Sequence, residues 1–261
     1  MQREQTFKER LSGGPPAIGC WLELFSPLAA EIVAQAGYDC VLIDLEHGPG
    51  SYLDAISLMH AVQARPCASL LRVAANDPVE IKRAVDIGIA GIMVPVVDDR
   101  AQAEAAVSAC RYPPAGHRGV APIIVRAADY GADWRDYVDR ANDELLIICQ
   151  IESREAVENA AEIVSVEGVD MIFLGPFDLS ANLGHMGEPD HPETRAAVEA
   201  VEASVKAAGK LLGGLPTPER SAEELYEVGY NLVLADFDAA LLRDGARARV
   251  AALRAANRTG S

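Results

Sequence analysis

The stretch VLIDLEHGPG, Val41 to Gly50, decides the fold. Its first residues continue a run, CVLID (40–44), that is apolar without alternating. Such a run is the mark of a strand buried on both faces of a parallel sheet. It then delivers Asp44, Glu46 and His47 into a Gly-Pro-Gly break. A solvated loop carries three titratable groups at no cost, whereas a catalytic rim requires them. The rest of the chain separates these readings.

Working outward, similar short runs recur at 17–22, 67–72, 91–95, 145–152, 170–175, 210–214 and 231–236. With 40–44 that makes eight candidate strands. Amphipathic stretches such as SPLAAEIVAQAGY, DPVEIKRAVDIG and ETRAAVEAVEASVKAAG lie between them. Several end in a glycine just before the next strand, a common helix stop. Eight strand-helix units in 261 residues fit a single closed (β/α)8 TIM barrel over 1–261. The alternative is an open doubly wound sheet. It usually carries a Gly-rich nucleotide turn after its first strand, but here that strand leads into ELFSPLAA. One span breaks the rhythm: residues 111–144 form a long excursion between the fourth and fifth strands, expected to be a lid or an interface element.

Composition excludes several classes. The formal net charge is −16, which argues against nucleic acid and against anionic membrane surfaces. No apolar run reaches membrane-spanning length and the polar start MQREQTFKER is no signal peptide, so a cytoplasmic location is expected. The five cysteines are odd in number and lack a CxxC spacing, so they read as small buried hydrophobes.

A barrel carries its site at the C-terminal ends of its strands. Those ends hold Trp21 and Glu23; Asp44, Glu46 and His47; Arg72; Pro95; Gln150 and Glu152; Asp178 within GPFDLS; and Asp236. Iminium or pyridoxal chemistry needs a lysine in the site. The chain has Lys8, Lys82, Lys206 and Lys210 only, none at such an end. HExxH and GxSxG motifs are absent. Carboxylates, an imidazole and a guanidinium remain. Glu152 and Asp178, from adjacent strands, suit a hard divalent ion such as Mg²⁺ or Mn²⁺; either could instead be a surface acid, or Asp178 a helix cap. Arg72 suits an oxygen that gains negative charge, or a structural ion pair. His47 suits a general base, or a plain loop position.

Together the blocks GCWLELFSPLAAEIVAQAGYDCVLIDLEHGPG, SLLRV, YPPAGHRGV, CQIES and VEGVDMIFLGPFDLSANLGHMGEPDHPE resemble the HpcH/HpaI family of class II pyruvate aldolases. The resemblance implies a barrel of the phosphoenolpyruvate/pyruvate type. It implies a divalent-metal-dependent aldolase that reversibly cleaves a 4-hydroxy-2-oxo acid to an aldehyde and pyruvate, or a related 2-oxo acid such as hydroxypyruvate, through an enolate. It assigns the metal (Mg²⁺, Mn²⁺ or Co²⁺) to Glu152 and Asp178. It assigns the 2-oxo acid to Gln150, Gly175, Pro176, Phe177, Asp178 and Trp21, and the enolate oxygen to Arg72. His47 becomes the base on the aldol hydroxyl, oriented by Asp44. Asp86 becomes an acid that raises the basicity of this histidine, in some members from a neighbouring subunit. A homohexamer, a dimer of trimers with an exchanged C-terminal helix, is implied as well. At Leu45, at His117 and along AADYGADW the chain departs from better-known members, at positions that the resemblance places near the aldehyde entrance. Arg118 or Arg126 would be the cation there for an acidic aldehyde. The alternatives are a CoA-thioester lyase of the malyl-CoA type, disfavoured by the low lysine count, and a non-catalytic barrel that binds an oxo acid.

Overall fold

In a computed structural model that describes residues 5–259, eight parallel strands close on themselves in sequence order. They are β1 (Ala17–Leu22), β2 (Cys40–Asp44), β3 (Ala68–Arg72), β4 (Gly91–Val94), β5 (Leu146–Ile151), β6 (Met171–Leu174), β7 (Leu211–Gly214) and β8 (Leu232–Phe237). Helices fill the intervals, so the expected (β/α)8 barrel is the one observed. Local sequence starts these helices: Ser26, Ser51, Asp77, Asp99 and Ser221 each accept a backbone N–H of the first turn. The expected helix after β5 is broken at Asn159 into Arg154–Glu158 and Ala160–Val164. No helix among the described residues is long and apolar enough to cross a membrane.

Two apolar cores follow from the alternation of side chains along each strand. Val41, Ile43, Leu71, Ile92, Ile147, Cys149 and Ile172 point outward and pack beneath the helices. Ala17, Trp21, Cys40, Leu42, Leu70, Met93, Leu146, Ile148, Met171, Phe173, Leu232 and Leu234 fill the interior. The helix Phe7–Gly13 closes the N-terminal end of the barrel with Phe7 and Leu11. The cysteines are all free, and four of the five are buried, as expected.

The interior sequence also aims the polar groups. Cys40 and Leu42 lead to Asp44, and Leu70 to Arg72. Leu146 and Ile148 lead to Gln150 and Glu152, and Met171 and Phe173 to Gly175. At β8 the register slips between Gly19 and Cys20, so that Cys20 faces Asp236 and Trp21 faces Phe237. The bulge turns Phe237 inward. Asp236 points out and accepts from the Tyr38 hydroxyl at 2.7 Å, so it is not the rim carboxylate that the sequence suggested.

The excursion packs at the opposite end from the strand C-termini. Its Ala127 and Tyr137 line a cleft with Ala90 and Leu145, the residues just before β4 and β5. It is no lid over this chain's own strand ends.

Gly19 faces the interior between Leu234 and Cys40. A Cβ there would meet Leu234 Cδ2 at 2.5 Å and Cys40 Sγ at 2.7 Å. Gly19→Ala is expected to lower the unfolding free energy by about 1–3 kcal/mol, read from urea denaturation.

Candidate active site

A cavity of about 340 Å³ opens at the C-terminal ends of the strands. Trp21, Phe173, Leu215 and Phe237 form its apolar walls; Glu23, His47, Arg72, Gln150, Gly175, Phe177 and Asp178 bring its polar groups. Trp21 is the floor. Its ring stacks on Phe237 at 5.6 Å, meets Phe173 edge-on at 5.9 Å, and lies 4.6 Å beneath the Arg72 guanidinium.

Arg72 is held from behind. Nε and Nη2 donate to Asp44 Oδ1 and Oδ2 at 2.9 and 2.8 Å, and Nη1 lies 2.8 Å from Glu46 Oε2. Asp44 is fully buried and Arg72 is 5% exposed. Burial opposes the guanidinium charge, but the Asp44 and Glu46 carboxylates outweigh it and hold Arg72 above its ordinary pKa. A guanidinium has five N–H groups, so at least two remain for a ligand oxygen. The structural ion pair and the functional reading are thus compatible.

Asp44 also accepts from the backbone N–H groups of Glu46 and His47, at 3.0 and 3.4 Å. It therefore shapes the loop that carries His47. It makes no hydrogen bond to the imidazole itself. The exposed His47 ring has no hydrogen-bond partner among the described residues and is left facing the cavity.

Glu152 is buried at the end of β5. Its Oε1 accepts from Val96 N–H at 2.9 Å and its Oε2 from the Gln150 amide. The Val96 donor sits at φ +51°, a strained conformation for a β-branched residue. Burial, with Asp178 and Glu46 nearby, pushes the Glu152 carboxyl up to about 7 despite that N–H. Asp178 lies exposed in the first turn of the helix Pro176–Asn182. It is not the helix cap: Gly175 holds that place and no side chain caps the helix, so the first-turn N–H groups lack side-chain acceptors. Gln150 Oε1 is buried and unpartnered.

These donors fit a hard divalent cation. Glu152 and Asp178 offer carboxylate oxygens, and each hydrogen-bonded oxygen of Glu152 keeps a lone pair. A cation there would offset the burial and the neighbouring carboxylates that raise Glu152. Among the described residues a second cluster, His185, His191 and Glu193, could also gather round a metal. Its members satisfy one another: His185 Nε2 is 2.9 Å from Glu193, and His191 Nδ1 accepts Glu193 N–H at the start of the helix Pro192–Ala207.

Other expectations fall outside the cavity. Asp86 ends the helix Pro78–Asp86, just before β4, and pairs with Arg118 at 2.7 Å. Arg118 is buried, donates also to Tyr137 and stacks on Tyr112, so it is no entrance cation in this chain. Arg126 donates to the Ile87 carbonyl at 2.6 Å, and His117 Nδ1 bonds Ser108 Oγ at 2.6 Å. All of these belong to the far end of the barrel, and so does AADYGADW. Leu45 packs against the outer core. The sequence reading missed Phe173, Leu215 and Phe237 as walls; the inward alternation within β6 was the available signal for Phe173. Glu23 was placed on the rim but given no role.

Fold and cavity together define a (β/α)8 barrel whose strand-end cavity gathers carboxylates, an imidazole and a guanidinium. The chain belongs to the HpcH/HpaI aldolase/citrate lyase family, which matches residues 17–245. It is 42% identical over 245 residues to a 4-hydroxy-2-oxo-heptane-1,7-dioate aldolase of Klebsiella pneumoniae, covering 94% of this chain and 92% of that protein. An Escherichia coli protein of the same name is 41% identical over 248 residues, covering 95% and 94%. The crystal structure of an HpcH/HpaI aldolase/citrate lyase family protein from Burkholderia cenocepacia superposes with a TM-score of 0.90 at 38% identity, covering 95% of this chain and 98% of that one.

Removing one partner of the buried pair strands the other charge. Asp44→Ala is expected to lower stability by about 3–5 kcal/mol. Asp44→Ala with Arg72→Met is expected to lose less than the sum of the single changes, as a double-mutant cycle in urea will show.

Proposed function

We propose that the protein is a divalent-metal-dependent aldolase that reversibly cleaves a 4-hydroxy-2-oxo acid into an aldehyde and pyruvate, or a related 2-oxo acid such as hydroxypyruvate. The observation that carries this reading is one cavity that joins the His47 imidazole, the rigidly held Arg72 guanidinium and the exposed Asp178 carboxylate, with the buried Glu152 carboxylate next to Gly175 of its wall.

Glu152 and Asp178 would hold the cation, which supplies Lewis-acid polarisation of the keto oxygen. The first-turn N–H groups at Phe177 and Asp178, with the Gln150 amide, bind the carboxylate end of the oxo acid. In cleavage His47 takes the proton of the 4-hydroxyl. The C3–C4 bond breaks, C4 leaves as the aldehyde, and the electron pair moves into a C2–C3 enolate. The two free Arg72 N–H groups donate to the C2 oxygen as its charge grows, inside a site that holds them in place beforehand. Trp21 and Phe237 keep water from the enolate face. Protonation at C3 completes pyruvate, and addition runs the same steps in reverse.

A homo-oligomer accompanies this reading. Val120, Ile123 and Ile124 of the excursion are exposed, as are Leu242, Val250 and Leu253 of the C-terminal helix Asp238–Thr259. Apolar patches of that kind suit subunit contacts. The hexamer, and a neighbour's Asp86 reaching His47, belong to the same proposal.

Three outcomes test it. Exchange of the pyruvate methyl hydrogens for deuterium, followed by NMR, is expected to require Mg²⁺ or Mn²⁺ and to vanish in Glu152→Ala and Asp178→Ala. His47→Ala is expected to lower kcat for cleavage by about 10²–10⁴-fold. The pH dependence is signed by Glu152. Its folded pKa lies above its unfolded one, so its contribution to metal-free stability is complete below the ordinary carboxylate range and is lost as pH rises towards 7. Cation binding needs the ionised form. Melting curves without metal should therefore show stability falling across that window, less so in Glu152→Gln, while Mn²⁺ raises Tm more above pH 7 than below it.

A further inference from the structure

One rim carboxylate is used neither by the cation site nor by the Arg72 frame. Glu23 follows β1 and extends the inward series Ala17, Gly19 and Trp21 into the cavity wall. Its loop is pinned: Asp238 accepts the backbone N–H groups of Glu23 and Leu24 at 3.0 and 3.2 Å. The side chain is half-buried. Among the described residues its carboxylate makes no hydrogen bond and no ion pair. Burial, Asp44 and Asp238 hold it above the usual carboxylate range, against the pull of Arg72 and His47.

Strand order fixes which end of the substrate meets it. β1 pairs with β2, so Glu23 and His47 stand on one wall. Gln150, Gly175 and Asp178 come from β5 and β6, across the barrel. On the aldolase reading the oxo-acid end would lie there, the 4-hydroxyl at His47, and the carbons beyond it along the β1–β2 wall. Arg72 is the one permanent cation among the described residues that line the cavity, and it is already paired.

We infer that Glu23 selects the aldehyde: it accepts a hydrogen bond from a hydroxyl on the carbon next to the aldehyde carbonyl, and it repels aldehydes that end in a second carboxylate. The chain would then be an aldolase for short neutral hydroxyaldehydes. The relatives named for a heptane-1,7-dioate substrate have a second carboxylate in that substrate. The inference rests on the aldolase reading above.

The test compares kcat/KM for pyruvate addition to glycolaldehyde and to succinic semialdehyde, with Mn²⁺ at about pH 8, above the carboxylate range. Wild type is expected to favour glycolaldehyde by about tenfold or more. Glu23→Gln is expected to cut that ratio by about tenfold, raising the rate with the semialdehyde while lowering it with glycolaldehyde, because one like-charge contact and one charge-assisted hydrogen bond are lost. A purely structural defect lowers both rates together and leaves the ratio unchanged; that result, or a wild-type preference for the semialdehyde, overturns the role of Glu23. Methyl exchange of pyruvate by the wild-type protein separates the two levels. Its absence removes the aldolase reading and this inference with it. Its presence with an unchanged ratio removes this inference alone.

Discussion

The buried contact between Asp44 and Arg72 is the constraint on which the site depends. It joins the ends of β2 and β3 with two hydrogen bonds at 2.9 and 2.8 Å. Out of water, neither charge is tolerable alone. The same carboxylate fixes the backbone of Glu46 and His47. One side chain thus sets the guanidinium on one side and the imidazole on the other. Trp21 beneath the guanidinium completes the frame, and its own place follows from the stack with Phe237 that the β8 bulge creates.

The remaining electrostatics are unbalanced, and the imbalance is informative. Glu152, Asp178 and Glu23 reach the same strand ends, while Arg72 already has two carboxylate partners. Glu152 alone of these is buried, and burial, with Asp178 and Glu46 nearby, pushes its carboxyl up to about 7. A divalent cation between Glu152 and Asp178 would relieve that arrangement. Glu23 stands across the barrel, on the wall proposed for the other half of the substrate.

Strand positions were legible because parallel strands buried on both faces leave unbroken apolar runs, and their ends name the rim residues directly. Asp44, Arg72, Gln150 and Glu152 could be placed in this way, since each continues an inward alternation two residues at a time. Asp236 could not, because a bulge reverses the parity and sequence carries no sign of it. That Asp44 reaches His47 through its backbone N–H depends on how a tight loop turns. Arg118 and Asp86 are polar residues in a loop and at a helix end. Only the fold shows that they meet at the far end of the barrel. The role of His117 and the location of the excursion have the same cause. The helix start at Pro176 was hidden because GPFDLS offers an acid where a cap is expected, while Gly175 occupies the cap.

The central claim is that Glu152 and Asp178 hold the cation that an oxo acid needs. A crystal grown with Mn²⁺ and pyruvate, with data collected for manganese anomalous scattering, tests it most directly. The account predicts an anomalous peak bonded to both carboxylates, with pyruvate between that peak and Arg72. A peak at His185, His191 and Glu193 with none at Glu152, or pyruvate bound without a cation, would contradict it.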